Sequence, residues 1–210
     1  MYETIIINEF NKHIVLTTED IQKSNNNCLD RAIMNTELKR MCDKGEIYRI
    51  GRGVYTRCRN TKRGKILPAE NDIVQEFYYT AGGYLSDVSY LNKIGVTTQM
   101  PAAKYITANK FRHKLYVLNN TVIKKPKIEI THENCAYLQL LDGIETYLFN
   151  SIECENPTLP FINEIFTQNL DILKLTILAK RYYSKKVFEY IIKLEEQIYD
   201  DITLESKGTC

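Results

Sequence analysis

The sequence predicts an α+β fold in which three short helices and a hairpin come first, followed by a mixed α/β region with a small sheet and a helical C-terminus. Three observations predict it. Apolar residues recur at helical spacing before Gly45, two β-branched and aromatic tetrads flank Gly51-Arg52-Gly53, and helical periodicity returns toward the C-terminus. A chain of 210 residues, 44% hydrophobic and 26% charged, has enough apolar material for a real core, in one domain or two small ones. The composition break falls at about 58–67, so residues 1–60 and 66–205 are read as two domains.

The elements follow in order. Ile6, Ile7 and Phe10 share one face of a first helix within Glu3 to Lys12. Thr17-Thr18-Glu19-Asp20 resembles a helix N-terminus, with a hydroxyl cap and acidic residues that suit the macrodipole. Ser24-Asn25-Asn26-Asn27 reads as a turn, because short polar side chains compete with helix hydrogen bonds. A third helix begins near Cys28, places Met34, Leu38, Met41 and Cys42 on one side, and ends at Gly45. Ile47-Tyr48-Arg49-Ile50 and Val54-Tyr55-Thr56-Arg57 then form the hairpin.

Beyond a basic linker closed by Pro68, Ala69 to Tyr79 reads as a helix stopped by Gly82-Gly83, and Ser86 caps a short helix closed by Gly95. The stretch 104–130, rich in Ile, Val, Tyr and Thr, reads as about three strands with turns at Asn109 and Asn119-Asn120. Helical patterning resumes beyond Ile144, is interrupted from Glu155-Asn156-Pro157 to Pro160, and continues from Asn163 as one long helix or two, with a frayed tail from about Thr203.

Charge points to a partner. Residues 1–65 carry thirteen Lys/Arg against eight Asp/Glu, whereas the rest carry fifteen against eighteen. Between Lys44 and Lys65, Arg49, Arg52, Arg57, Arg59, Lys62 and Arg63 join the two lysines against Glu46 alone. Clustered cations suit a polyanion, because each phosphate contact releases condensed counterions. Three helices followed by a basic-tipped hairpin match a winged helix-turn-helix, whose third helix enters the major groove of double-stranded DNA. Candidate DNA-binding residues are therefore Arg31, Asn35, Thr36, Lys39 and Arg40 off the core stripe of helix three, with Arg49, Arg52 and Arg57 on the hairpin. Arginine and asparagine can read guanine and adenine edges, while lysine and threonine more often bind phosphate.

Catalytic constellations are missing. Arg63-Gly64-Lys65-Ile66 lacks the first glycine and the hydroxyl of a phosphate-binding loop, no serine sits in a nucleophile elbow, and Glu195-Glu196 and Asp200-Asp201 read as a solvated helix face. No enzyme activity, cofactor or metal is expected. The six cysteines, Cys28, Cys42, Cys58, Cys135, Cys154 and Cys210, show no Cys-x-x-Cys pair and read as reduced thiols of a cytoplasmic protein. Met1 to Ile7 has no basic leader, and no stretch is apolar enough to span a membrane. Tyr78, Tyr79, Tyr84, Tyr90, Tyr105 and Tyr116 suit a core better than base stacking. Rival readings are a protein-interaction module that uses the winged helix as a scaffold, and an RNA-binding factor.

Two motifs add a resemblance. Lys44-Gly45-Glu46-Ile47-Tyr48-Arg49-Ile50-Gly51-Arg52-Gly53-Val54-Tyr55 resembles the hairpin of the AbiEi antitoxin family and related winged-helix regulators of bacterial toxin–antitoxin (abortive infection) operons. Gly82 to Pro101, with Leu91-Asn92, Gly95, Thr98-Gln99 and Tyr105-Ile106-Thr107, is similar to that family's second domain. Where that family often has an alanine, this chain has Tyr90. The resemblance implies an autoregulating antitoxin that binds the operator of its own operon and counteracts a nucleotidyltransferase-like toxin, with no direct grip on the toxin required.

Overall fold

The computed structural model describes all residues except 1, 27, 63, 112, 155 and 208–210, together with all side chains of those except 60 and 201–207. Met1, Asn27, Arg63, Glu155, Cys210 and the side chains of Asp201 and Thr203, named above, lie outside it. The chain is of mixed α+β type and falls into two compact units, Met1–Ala81 with Ala108–Asn119, and Gly82–Thr107 with Asn120–Cys210.

In the first unit, α1 (Tyr2–Phe10), α2 (Thr18–Ser24) and α3 (Arg31–Asp43) enclose a core of Ile6, Phe10, Leu16, Ile21, Met34, Leu38, Met41 and Ile47. Each boundary has a local cause. Thr17 and Asp20 form a reciprocal capping box, in which the Asp20 amide donates to Thr17 Oγ1 at 2.9 Å and the Thr17 amide donates to Asp20 Oδ2 at 3.0 Å. The third helix starts at Arg31 rather than near Cys28, because Asp30 Oδ1 accepts the amides of Ala32 and Ile33 at 2.8 and 2.9 Å. It ends as expected at Gly45, whose φ of 66° lies in the left-handed region.

The sheet has one strand more than the expected hairpin. β1 (Val15–Thr17), β2 (Tyr48–Gly51) and β3 (Val54–Thr56) pair antiparallel in the order β1-β3-β2. Residues 58–67, expected as a linker, instead hold a second hairpin, β4 (Arg59–Thr61) and β5 (Gly64–Ile66), paired Arg59 to Ile66. α4 (Glu70–Val74) then runs into a π-helical turn, Gln75–Tyr79, with Ile73, Val74, Phe77 and Tyr78 buried. The segment 108–119 completes the unit along the edge of β2, where Leu115 bridges Gly51 and the Tyr116 amide donates to the Ile50 carbonyl at 2.6 Å.

In the second unit, β6 (Tyr84–Leu85), β7 (Lys104–Thr107) and β8 (Thr121–Lys124) form a sheet in which β6 and β7 are antiparallel and β7 and β8 parallel. Among the described residues, the stretch 104–130 thus holds two strands, not three, and their partner β6 lies earlier in the chain. α5 (Asp87–Lys93) follows Ser86, but the Ser86 side chain makes no cap bond and its Oγ is buried without a partner. The C-terminal helices are α6 (Cys135–Phe149), α7 (Thr158–Thr167), α8 (Ile172–Tyr182) and α9 (Lys185–Lys207), so helix begins well before Ile144 and two breaks, not one, follow Asn163. Leu91, Leu140, Leu141, Ile144, Phe161, Leu175, Val187 and Ile191 form their common core. Among the described residues, no helix is long and apolar enough to cross a membrane.

Candidate nucleic-acid interface

The geometry of α3 selects the site. At about 100° per residue, Arg31, Asn35 and Lys39 lie one turn apart on a single stripe, away from the buried Met34, Leu38 and Met41. That stripe and Cys42 form one wall of a cleft of about 600 Å³ in the first unit. Arg49, Arg52, Gly53 and Tyr55 of the β2–β3 hairpin form the facing wall. Thr17, Thr18 and Glu19 from the start of α2 and His113 from the segment 108–119 complete the lining.

Five of the eight residues expected at a DNA surface therefore share one concavity: Arg31, Asn35, Lys39, Arg49 and Arg52. The other three stand apart. Thr36 is exposed beside the stripe, and its hydroxyl donates to the Ala32 carbonyl at 3.0 Å. Arg40 lies about half a turn from Arg31 and is held by Glu37 and Glu3. Arg57 follows β3 with the opposite orientation, where its guanidinium donates to Asn11 Oδ1 at 2.9 Å and lines two smaller cavities.

Several cations of this unit outside the cleft meet carboxylates: Arg40 with Glu3 and Glu37, Lys12 with Glu9 at 2.9 Å, Arg59 with Asp72 at 3.7 Å, Lys110 with Asp20 at 3.6 Å. Among the described residues, Arg31, Lys39, Arg49 and Arg52 have no ion-pair partner, and Glu19 is the one carboxylate in the lining. Four unneutralised cations converging on a concave surface create a positive potential that focuses on an anion entering it.

The cleft is held firmly. Arg49 Nε donates to the Gly51 carbonyl at 3.2 Å, which directs the guanidinium along the hairpin, and the Thr18 amide donates to the Gly53 carbonyl at 3.0 Å, which ties the hairpin turn to α2. Burial pushes the Cys42 thiol and the Tyr55 hydroxyl above their ordinary values, so both stay protonated in the lining. Burial also pushes Asp20 up, but the Thr17 side-chain and backbone hydrogen bonds and the Lys110 charge outweigh it, and its carboxyl is held below the ordinary range.

Sequence reasoning missed His113, which arrives from a segment distant in the chain and leaves no local signal. The tyrosines divide: Tyr78, Tyr84 and Tyr90 are buried and offer no ring to a base, whereas Tyr116 is 67% exposed.

No protein-family model matches the chain, and no curated protein does. Among solved structures the chain is similar to the crystal structure of RV2827C protein from Mycobacterium tuberculosis, at 14% identity and a TM-score of 0.34, over 91% of this chain and 71% of that one.

Proposed function

We propose that the first unit is a winged helix-turn-helix that binds double-stranded DNA, with α3 as the recognition helix and the β2–β3 hairpin as the wing. The observation that carries the reading is the convergence of Arg31, Asn35, Lys39, Arg49 and Arg52 on one cleft, with none of the four cations neutralised by a carboxylate among the described residues. Arg31 and Asn35 have the fork and amide geometry that reads base edges, while Lys39, Arg49 and Arg52 suit phosphate. The resemblance of the hairpin and of Gly82 to Pro101 to the AbiEi antitoxins extends the reading to an autoregulating antitoxin, acting on its own operator and paired with a nucleotidyltransferase-like toxin.

A mobility-shift titration with the duplex upstream of its own gene tests this. Affinity should fall steeply with salt, and Arg49→Ala with Arg52→Ala should abolish the shift at physiological salt and lower the slope of the binding left at low salt by about two. Binding unaffected by both salt and substitution rejects the DNA reading. A neighbouring reading frame that encodes a nucleotidyltransferase-like protein, toxic when expressed without this chain, is the expected result for the antitoxin reading; harmless expression rejects it.

A further inference from the structure

The segment 108–119 lies between β7 and β8 in sequence, yet its contacts place it in the first unit. Its attachment there is specific. Leu115 pairs with Gly51 in the hairpin, and a Cβ on Gly51 would stand 2.9 Å from the Lys114 carbonyl oxygen, so the two backbones touch at the one position in β2 without a side chain. At its other end, Lys110 pairs with Asp20 of α2 and lies 4.5 Å over the Phe77 ring. Between these anchors, the Tyr78 hydroxyl donates to the His113 carbonyl at 2.7 Å, and the His113 and Phe77 rings pack edge to face with centroids 5.8 Å apart. These contacts hold the backbone of His113 and pack its ring on Phe77, and His113 also lines the cleft with Arg31, Lys39, Arg49 and Arg52.

We infer that this segment is a third element of the nucleic-acid surface, beside α3 and the wing, and that His113 is a phosphate contact. The inference rests on the DNA reading above. An imidazole N–H donates to a phosphate oxygen as a side-chain amide does. Position 113 suits that donor: the His113 carbonyl is held by Tyr78, and the charged residues that share the lining are four cations and Glu19.

The test uses the full chain and a labelled duplex from upstream of its gene, with wild type, His113→Phe, His113→Lys, Arg52→Ala and Lys185→Ala compared across a salt series. Lys185 is 87% exposed in the second unit and controls for net charge. His113→Phe keeps a ring against Phe77 and removes the donor, and should weaken binding about three- to tenfold. His113→Lys adds a fixed cation, and should tighten binding and steepen the salt slope by about 0.9. Lys185→Ala should match wild type. Melting temperatures near that of wild type exclude misfolding, and the lysine variant can only gain affinity if the cleft meets phosphate. If Arg52→Ala weakens binding while both His113 variants bind as wild type does, this inference is overturned and the DNA reading stands. If wild type binds no duplex, both fall.

Discussion

At the residue scale, the buried carboxyl of Asp142 makes the sharpest case. Tyr183 and Tyr84 donate to it at 2.6 and 2.7 Å, one to each oxygen. Burial nevertheless raises it above the ordinary aspartate range, and these two donors pull it only part of the way back. A carboxyl whose folded value exceeds its unfolded one stabilises the fold fully below the unfolded value, and that contribution is lost as pH rises through the folded value. Asp142→Asn removes the titration at nearly constant shape. The melting temperature of wild type relative to this variant should therefore climb as pH is lowered from neutral toward about 4; a difference independent of pH would contradict the desolvation. Gly51 is the second such residue. In Gly51→Ala the added methyl meets the Lys114 carbonyl at 2.9 Å and Leu115 Cδ2 at 3.0 Å. Urea denaturation should show a loss of about 1–3 kcal/mol, and an unchanged midpoint would mean that the segment yields.

At the scale of elements, local signals were legible and non-local ones were not. The capping box at Thr17, Gly45 beyond α3 and the turn at Gly51-Arg52-Gly53 are all written in adjacent residues, so α2, the end of α3 and the β2–β3 hairpin follow from chemistry at short range. β1 has three residues, too few for alternation to register, and only its pairing with β3 makes it a strand. β4 and β5 escaped because no described side chain of β5 is buried, and a strand without an inner face has no pattern to read. In the site, Arg31, Asn35 and Lys39 were legible as an i, i+4, i+8 stripe. The pairing of Arg40 with Glu37 was within reach of helical i, i+3 spacing, but its partner Glu3 was not. One prediction belongs here. Asp30 satisfies two amides at the start of α3, the helix that presents three of the five converging residues, so Asp30→Ala should lower stability by about 1 kcal/mol and weaken duplex binding with it. Circular dichroism and the mobility shift measured on one preparation check both, and lost stability with intact binding would show that the first turn of α3 contributes nothing to the interface.

For the whole molecule, the division into units differs from any single cut in the sequence, because the backbone passes from one unit to the other after Ala81, after Thr107 and after Asn119. A fragment ending at residue 81 lacks the Leu115 bridge and the Tyr116 amide, and leaves the edge of β2 bare. Exposed strand edges template self-association. Such a fragment should melt below the intact chain, be nicked faster by protease at 46–57 and aggregate, as thermal melts, limited proteolysis and light scattering would measure. A fragment as resistant as the full chain would show that the segment 108–119 is dispensable.

The same threading sets an order of events on the ribosome. Nascent chains usually finish their N-terminal domain first, but here the leading unit cannot close until Asn119 has cleared the exit tunnel, with β6, α5 and β7 already outside. The last piece to dock on that unit is thus translated after the first strands of the other, so a polypeptide truncated by a premature stop between codons 81 and 108 is left without its closing segment.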